Sequence, residues 1–361
     1  MLCKRVRLRK QGQIDATRSW RMRAVLASCL LALTMTATPA PAQMLDFEAL
    51  EGWSGDNHLA ALTAFQETCD KLDAPDWRPI CHLAAVAGTS NASAKAFFEL
   101  MFKPVLIGQP PALFTGYYEP ELNGSYTRTP RFAYPIYARP PELQDGQAYY
   151  DRATIDSGAL RGRGLEIAWL EDPVEVFFLH IQGSGRIKMT NGHVIRVGYA
   201  GRNGHAYRSV GKEMIARGMR TPDQVSAQDI KLYVRSNPAA GTALLSVNPS
   251  YIFFRKIADL PSDKGPIGAM GRSVTPMRSV AIDPAFTPLG VPVWIEKSGD
   301  NPIHSLMIAQ DTGGAIKGPQ RADIFFGTGD GAGDAAGTIK DSGRMILLLP
   351  IDRAYAMLPE G

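Results

Sequence analysis

Apolar and polar positions follow two different periods along the chain, one typical of helices and one typical of strands. Two helices are predicted at His58–Leu72 and Ala92–Lys103, with Pro104 expected to end the second. Short apolar runs broken by Gly and Pro then predict strands, namely Phe114–Tyr118, Phe132–Tyr137 and Val174–Ile181. Helical spacing returns at Ser209–Arg217, Ser226–Arg235 and Ala239–Ser246. The C-terminal part is again strand-like, with runs at Ser279–Ile282, Val291–Ile295, Leu306–Ala309, Ile324–Phe326 and Met345–Leu349.

Two aspartates lie next to predicted buried strands and are joined by a glycine-rich stretch. Asp311 follows one strand, and Asp323 precedes the next after DTGGAIKGPQRAD. A third aspartate, Asp283, comes earlier in SVAIDPAFTPLG. Burial and a neighbouring like charge can raise the pKa of one carboxyl while another stays ionised, as an acid/base site requires. Aspartates beside glycines are also common in structural turns, so spacing alone leaves both interpretations open.

Several longer motifs occur in a fixed order between residues 114 and 344. They are FTGYYEPEL, HIQGSGRI, VGYAGRNGHAYRSVGKEMI, NPSYIFF and the aspartate region. In this order they resemble the membrane-bound lytic murein transglycosylase A family, and the C-terminal part resembles the domain named 3D for its three aspartates. The resemblance implies a mainly β chain with flanking helices, a β-rich α+β fold.

The same resemblance implies two domains with a groove for a glycan strand between them. A double-psi β-barrel is expected from residues 43–120 and 261–361. A second, β-rich domain is expected as an insertion over residues 121–260. A chain of 361 residues is long enough for two domains.

By resemblance, Asp323 in RADIFFG is the catalytic group, acting first as acid and then as base. Asp311 matches a second aspartate that would raise the pKa of Asp323. Asp283 matches the third and is expected to bond loop amides, while Lys317 would either steady charge in the transition state or solvate its loop. The resemblance also implies a set of substrate-binding positions, namely Thr115, Tyr117, Gln182, Gly183, Ser184, Gly185 and Tyr199.

Other chemistries receive less support from the residues. The segment GTGDGAGDAAG lacks the last glycine of a dinucleotide-binding motif and is predicted to be a surface loop or a close backbone approach to sugar rings. No bidentate glutamate follows it at calcium-loop spacing, so neither a metal nor another cofactor is predicted. Glu119 departs from the family pattern beside the expected groove, which leaves a second catalytic acid open.

The N-terminus carries most of the positive charge and is predicted to be a cleaved signal peptide with a polar extension. Residues 1–42 contain eight Lys/Arg and one acid, an apolar stretch at Ala24–Thr36 and an A-x-A site ending at Ala42. The remaining residues hold 31 bases and 34 acids, so charge gives no support to nucleic-acid binding. Cys29 lies too early in the apolar stretch for a lipidation site. A periplasmic, non-lipidated protein is expected, with outer-membrane association left open.

Cys69 and Cys81 would remain after signal cleavage. They form either a disulfide or a pair of buried thiols, and the sequence does not decide between these alternatives.

Three functions remain in competition. The leading hypothesis is a lytic transglycosylase that acts on peptidoglycan glycan strands, with other cell-wall enzymes as further partners. The second is a glycoside hydrolase on the same barrel, in which Asp323 is the acid and Asp311 or Glu119 the base. The third is a non-catalytic glycan-binding protein of the expansin type.

Overall fold

Two β sheets form the framework of the protein, and the computed structural model describes residues 41–222 and 224–357. The first sheet has the order β1-β2-β14-β11-β12-β10-β13-β3. Its strands are β1 (Ala42–Met44), β2 (Phe102–Ile107), β3 (Ala112–Glu119), β10 (Ser279–Ile282), β11 (Pro292–Lys297), β12 (Ile303–Thr312), β13 (Arg321–Thr328) and β14 (Lys340–Pro350). A further pairing of β14 with β3 closes six of these strands into a barrel.

The second sheet is built entirely from the middle of the chain and has the order β5-β6-β4-β7-β8-β9. Its strands are β4 (Glu121–Ser125), β5 (Tyr134–Tyr137), β6 (Glu166–Leu170), β7 (Ser184–Met189), β8 (Val194–Arg202) and β9 (Ile252–Ile257). Both sheets belong to one compact unit that comprises residues 40–361. The β-rich fold class with a barrel and a second β sheet is therefore confirmed.

Ten helices flank the two sheets in the described residues. They are α1 (His58–Gln66), α2 (Trp77–Val86), α3 (Asn91–Met101), α4 (Arg152–Thr154), α5 (Pro173–Gln182), α6 (Val210–Ala216), α7 (Ala227–Ser236), α8 (Pro238–Leu245), α9 (Asp330–Thr338) and α10 (Ile351–Ala356). None of the helices in the described part of the chain is both long and apolar enough to cross a bilayer.

The first three helices cover the barrel with an aromatic cluster. The ring centroid of Phe65 in α1 lies 6.3 Å from that of Phe98 in α3 and 5.9 Å from that of Phe102 in β2. All three rings are fully buried. Burying a side chain of this size contributes about 1.5–3 kcal/mol, so the cluster fixes the helices on the barrel.

A disulfide joins Cys69 to Cys81 and thereby links the turn after α1 to α2. It resolves the alternatives that the sequence left open in favour of the bridge. Closing a loop of this length contributes about 2–3 kcal/mol in the chain-entropy account.

Two predicted helix ends were wrong near this bridge. Helix α1 ends at Gln66 rather than at Leu72, because the buried Thr68 hydroxyl donates to the Phe65 carbonyl and the chain turns toward Cys81. Helix α3 ends at Met101, and Pro104 lies inside β2, opposite Leu348 of β14, instead of ending the helix. Helix α2 was not predicted.

The predicted strand Val174–Ile181 is wrong, because these residues form helix α5. The Asp172 side chain caps it by accepting from the Val174 amide at 2.8 Å, Pro173 occupies the first turn, and Gly183 ends it with φ +76°. Most of the helix is apolar, because Val174–Leu179 lies between the second sheet and the bundle of α6–α8, with Glu175 paired to Lys231. A mostly buried, apolar helix has little periodicity to distinguish it from a buried strand.

The predicted surface loop in GTGDGAGDAAG is also wrong, because most of it forms helix α9. Its glycines permit close packing on β3: a Cβ on Gly333 would lie 2.7 Å from the Tyr118 ring. Across the same contact, a Cβ on Gly116 would lie 2.7 Å from the Cα of Ala336. The glycines of α9 allow the helix to pack closely on β3. This packing role explains why the helix has a glycine-rich composition that is typical of loops.

The other predicted elements are present with shifts of a few residues at their ends. Ser209 and Ser226 cap α6 and α7 with their hydroxyl groups, as typical helix starts do. The predicted strands around the aspartates are longer than expected, so that Asp311 and Asp323 lie within β12 and β13. The predicted signal peptide and Cys29 fall almost entirely outside the described residues.

Candidate active site

Asp311 and Asp323 lie on the two strands that flank β10, and both are aligned with the same residue of that strand. Ala281 pairs with Asp311 of β12 on one side and with Asp323 of β13 on the other. Directly paired residues of neighbouring strands share a face of the sheet, so the two carboxylates project on the same side. The methyl group of Ala281 leaves space between them.

A β-bulge turns Asp311 toward this face. Val280 pairs with Ala309 and Ala281 with Asp311, so Gln310 is an additional residue on β12. If β12 alternated regularly through Gln310, Asp311 would lie on the same inward face as Ala309, which is fully buried. The buried Gln310 side chain is fixed in place, since its amide donates to the Ala64 carbonyl of α1 at 3.2 Å. The bulge thus re-aims a functional side chain, a frequent use of bulges.

Both oxygens of Asp311 accept hydrogen bonds. Oδ1 accepts from the amides of Ala269 at 3.0 Å and Thr312 at 2.8 Å, and Oδ2 accepts from the Tyr117 hydroxyl at 3.1 Å. Burial and, to a smaller extent, the charge of Asp323 raise the pKa of Asp311 to about 6 against these donors. The two carboxyl groups are therefore electrostatically coupled.

Asp323 has fewer partners than Asp311. The Thr115 hydroxyl donates a short hydrogen bond to its Oδ1. Arg321 in turn donates to the Thr115 oxygen at 2.8 Å. Burial raises the pKa of Asp323, while the Thr115 hydrogen bond and the Arg321 charge oppose that rise. Within the described residues, no donor reaches the second oxygen, Oδ2.

Asp283 and Lys317 hold the glycine-rich loop between the two catalytic candidates. Asp283 accepts from the Gly318 amide at 2.9 Å, the Ala285 amide at 3.3 Å and the Lys317 ammonium at 3.4 Å. Burial disfavours its charge, but these donors outweigh burial and hold the pKa of Asp283 below its usual range. The position of Asp283 matches its expected contact with loop amides, and Lys317 itself is largely exposed.

A groove of about 660 Å³ runs between the barrel and the second sheet. The barrel side contributes Asp311, the segment Pro266–Ala269 and the loop Thr312–Ala315, and the other side contributes the end of α5 and parts of β8 and β9. Asp311 lines this space directly, whereas Asp323 does not line it and lies on β13, on the other side of β10, with a partly exposed side chain. The site is thus open to a large polar ligand along one edge.

The segment HIQGSGRI is the junction between α5 and β7. Gln182, Gly183 and Ser184, which the resemblance gave as substrate-binding positions, line the groove. The side-chain oxygen of Gln182, Oε1, already accepts from the Tyr118 backbone amide at 3.0 Å. The side-chain NH₂ group of Gln182 is therefore the part left for a ligand. Gly185 does not line the groove, because it packs against Leu179 and Pro120.

The tyrosines divide into buried and exposed ones. Tyr117 is buried against Phe325, so it acts on Asp311 through its hydroxyl and presents no ring surface for stacking. Thr115 likewise contacts Asp323 rather than the groove. Tyr199 and Tyr207 line the groove, and Tyr199 is 51% exposed.

Glu119 does not face the groove. It is 1% exposed and forms ion pairs of 2.8 Å with Arg186 and Arg196, while the Thr328 hydroxyl donates to it at 2.9 Å. With its oxygens held by these donors, it has no access to a substrate. His180 and His205 also have partners: Arg152 contacts His180 Nδ1 at 3.0 Å, and His205 Nε2 contacts the Tyr149 carbonyl at 2.8 Å.

Several contributors to the site were missed from the sequence. The Ala269 amide and Arg321 touch the carboxylate network, but a backbone amide has no sequence signature, and Arg321 was seen only as a neighbour of Asp323. Arg202 and Arg255 line the groove without having been singled out. Their position follows from strand pairing, which the sequence does not show.

Comparison with known proteins agrees with this architecture. Residues 113–255 match the MltA specific insert domain, and residues 278–349 match the 3D domain. The chain is 35% identical to the membrane-bound lytic murein transglycosylase A of Vibrio cholerae over 69% of each chain. It is 37% identical to the protein of the same name from Escherichia coli K12 over 65% of each chain.

Solved structures show the same likeness. A membrane-bound lytic murein transglycosylase from Agrobacterium tumefaciens matches with a TM-score of 0.80 and 32% identity, covering 87% of this chain and 99% of that one. MltA from Neisseria gonorrhoeae matches with a TM-score of 0.73 and 32% identity, over 87% and 95%. E. coli MltA with bound chitohexaose matches with 0.69 and 28%, again over 87% and 95%. The chain belongs to the membrane-bound lytic murein transglycosylase A family.

Proposed function

We propose that Asp323 is the single acid and base of a peptidoglycan lytic transglycosylase reaction in this protein. The activity class follows from the family. The finer statement concerns the bond and the residue: cleavage of the β-1,4 bond between N-acetylmuramic acid and N-acetylglucosamine, with a 1,6-anhydromuramyl end as product. The observation that carries this assignment is the unoccupied Oδ2 of Asp323 in the described residues, next to an Asp311 whose two oxygens are both engaged.

The reaction needs one proton carrier and no water. Protonated Asp323 would give its proton to the glycosidic oxygen as the bond to the anomeric carbon breaks and positive charge develops on the sugar. The 6-hydroxyl of the same muramyl residue would then attack that carbon and lose its proton to the Asp323 carboxylate. Because the nucleophile is part of the substrate, it is held at high effective molarity.

The surroundings of the two carboxyl groups favour different protonation states. Three donors stabilise the ionised form of Asp311, because each of these hydrogen bonds is stronger to a charged carboxylate. Asp323 has only one donor and can carry a proton on Oδ2. Because two negative charges this deep in the fold repel each other, an ionised Asp311 favours the protonated form of Asp323.

The geometry removes Glu119 as a candidate base for the hydrolase alternative. Glu119 is buried beneath two arginines and cannot activate a water in the groove. Asp311 remains available to that alternative, since it lines the groove. The products therefore have to decide between the two reactions.

The decisive experiment is mass analysis of the products released from purified peptidoglycan. We expect muropeptides with a 1,6-anhydro end, each lighter by one water than the hydrolytic product. Products that carry the additional water would identify a hydrolase. Binding to peptidoglycan without new chain ends would identify an expansin-like protein.

The location and the domain division complete the proposal. Membrane-bound relatives support a cell-envelope location, and the predicted signal peptide over residues 1–42 supports the periplasm. The strand membership of the two sheets supports a barrel domain of residues 43–120 and 261–361 around an inserted domain of residues 121–260. Glycan strands are the proposed partner, and contacts with other cell-wall enzymes stay a prediction.

A further inference from the structure

One wall of the groove carries positive charge that has no acidic partner. Arg202 and Arg255 both line the groove and are exposed. Arg255 donates only to the Tyr199 carbonyl, at 3.3 Å. In residues 41–222 and 224–357, no hydrogen-bond acceptor or carboxylate is in contact with the Arg202 guanidinium. Two guanidinium groups are thus available to a ligand.

A second β-bulge aims Arg202 into the groove. Tyr199 pairs with Phe254, and Gly201 pairs with Phe253, the next residue of β9. Ala200 is therefore an additional residue on β8. The additional residue reverses the alternation of side chains, and Tyr199 and Arg202 therefore lie on the same face. Arg202 is paired with Ile252, which also lines the groove.

The guanidinium of Arg202 reaches across the groove toward the catalytic side. A Cβ built on Gly314 would lie 3.8 Å from an Arg202 terminal nitrogen. Gly314 belongs to the loop that begins at Asp311 and is held by Asp283. A ligand bound at Asp311 would therefore also meet Arg202.

This positive charge is local rather than a property of the whole protein. Residues 43–361 hold 31 bases and 34 acids, a net charge of −3. Two further cations line the groove, but Arg152 is buried and donates to the Asn248 and Ser250 carbonyls, and Lys317 is paired with Asp283. A neutral sugar chain needs hydroxyl and amide partners but no cations. Arg202 and Arg255 are thus the exposed groove cations that have no carboxylate partner in the described residues.

The glycan of peptidoglycan carries such charge at regular intervals. Each N-acetylmuramyl residue has a lactyl ether that ends in a carboxyl group, either free or joined to a peptide that has its own carboxylates. We infer that Arg202 binds a carboxylate of the muramyl side chain, and thereby selects muramyl glycans over neutral ones. The inference rests on the proposed function, since it names the substrate group that the same groove recognises.

Direct binding measurements test this inference. They are made with the Asp323→Asn protein, with and without a second substitution, so that the ligands are not cleaved during the measurement. Four ligands separate the sources of charge: a peptide-free GlcNAc–MurNAc oligosaccharide, the same oligosaccharide with amidated lactyl groups, the same with stem peptides, and chitohexaose. We expect R202Q to weaken binding of charged ligands about tenfold, in line with a charge-assisted hydrogen bond of about 1.5 kcal/mol. Binding of the two neutral ligands is expected to be unchanged.

The charged ligands also identify which carboxylate is recognised. Weaker binding of the peptide-free ligand assigns the lactyl carboxylate, and weaker binding of only the peptide-bearing ligand assigns the stem peptide. When Arg202 is present, added salt is expected to reduce the preference for charged over neutral ligands. In R202Q, this preference is expected not to depend on salt. R202K is expected to recover part of the preference.

Lys212→Gln provides the matched control, because Lys212 is an exposed cation of the same domain that does not line the groove. A loss of affinity in R202Q that is equal for charged and neutral ligands would overturn the inference. The proposed function fails separately: a wild-type protein that releases no anhydro product would contradict the reaction but leave a measured charge preference intact.

Discussion

At the scale of single residues, the site consists of two coupled carboxyl groups whose different hydrogen-bond partners give them different tasks. Asp311 is fixed by two amides and the Tyr117 hydroxyl, and Asp323 is held at one oxygen only. Desolvation raises the pKa of both groups. A pair of this kind retains one proton at a pH where an exposed aspartate would have lost it.

Asp311→Asn is expected to slow the reaction and to move the alkaline limb of its pH–rate profile to lower pH. The sign follows from charge: removing a negative neighbour lowers the pKa of Asp323, so its proton is lost at lower pH. We expect kcat to fall about tenfold, equivalent to about 1.4 kcal/mol, because the acid itself remains. Rates measured across the pH range check this.

Two other outcomes of that experiment would contradict the assignment. An unchanged profile would mean that Asp311 only bonds its loop. Complete loss of activity at every pH, with the fold intact, would indicate a second obligatory carboxylate and hence hydrolysis.

At the scale of elements, two glycines of helix α9 differ in their surroundings: Gly331 faces open space and Gly333 packs against β3. A Cβ on Gly331 meets nothing within 4 Å, whereas a Cβ on Gly333 would lie 2.7 Å from the Tyr118 ring. We expect Gly331→Ala to stabilise the protein by about 0.5–1 kcal/mol, because alanine is the better helix former. We expect Gly333→Ala to destabilise it by about 1–3 kcal/mol through overpacking.

Thermal or urea unfolding of the two variants compares them directly. Equal stabilities would show that α9 does not pack against β3 as closely as described. A destabilised Gly331→Ala would argue against helical structure at that position.

The elements also show where sequence patterns succeed and fail. Capped amphipathic helices such as α6 and α7 were predictable, since their serine caps and apolar faces are local signals. Helix α5 was mistaken for a strand because most of it is buried and apolar, and α9 for a loop because its glycines serve packing. The bulge at Gln310, which aims Asp311, depends on the partner strand and leaves no pattern of its own.

At the scale of the whole molecule, a buried ion-pair network lies where the chain crosses between the two sheets. Glu119 ends β3 just before the second sheet begins at β4, and it is paired with Arg186 of β7 and Arg196 of β8. The same arginines donate to the carbonyls of Ser262 and Pro261, on the segment that returns to the barrel. The network therefore ties both crossings together.

Glu119→Gln is expected to destabilise the protein by about 3–5 kcal/mol, because two poorly hydrated guanidinium groups lose their counter-charge. Glu121→Gln is the control, since its ion pair with Lys188 is largely exposed and is expected to contribute at most about 1 kcal/mol. Equal effects of the two substitutions in equilibrium unfolding would show that the crossing is not held by this network.

The whole-molecule arrangement was predictable mainly through the family motifs. The barrel, the second sheet and the aspartate region follow from those motifs, whereas the burial of Glu119 and the positions of Arg202 and Arg255 do not. Ion pairs between residues 67 or more positions apart depend on the folded topology. Local patterns contain no information about such contacts.

The rate of anhydro product formation by Asp323→Asn tests the central claim most directly. Asparagine has nearly the same shape but cannot donate and recover the proton, and Asp334→Asn makes the same change at an exposed position on α9 as a control. We predict a loss of at least about 100-fold for Asp323→Asn, with glycan binding and unfolding unchanged, because losing an acid/base group costs 10²–10⁴-fold. A folded Asp323→Asn protein that retains more than about a hundredth of the wild-type rate would contradict the assignment.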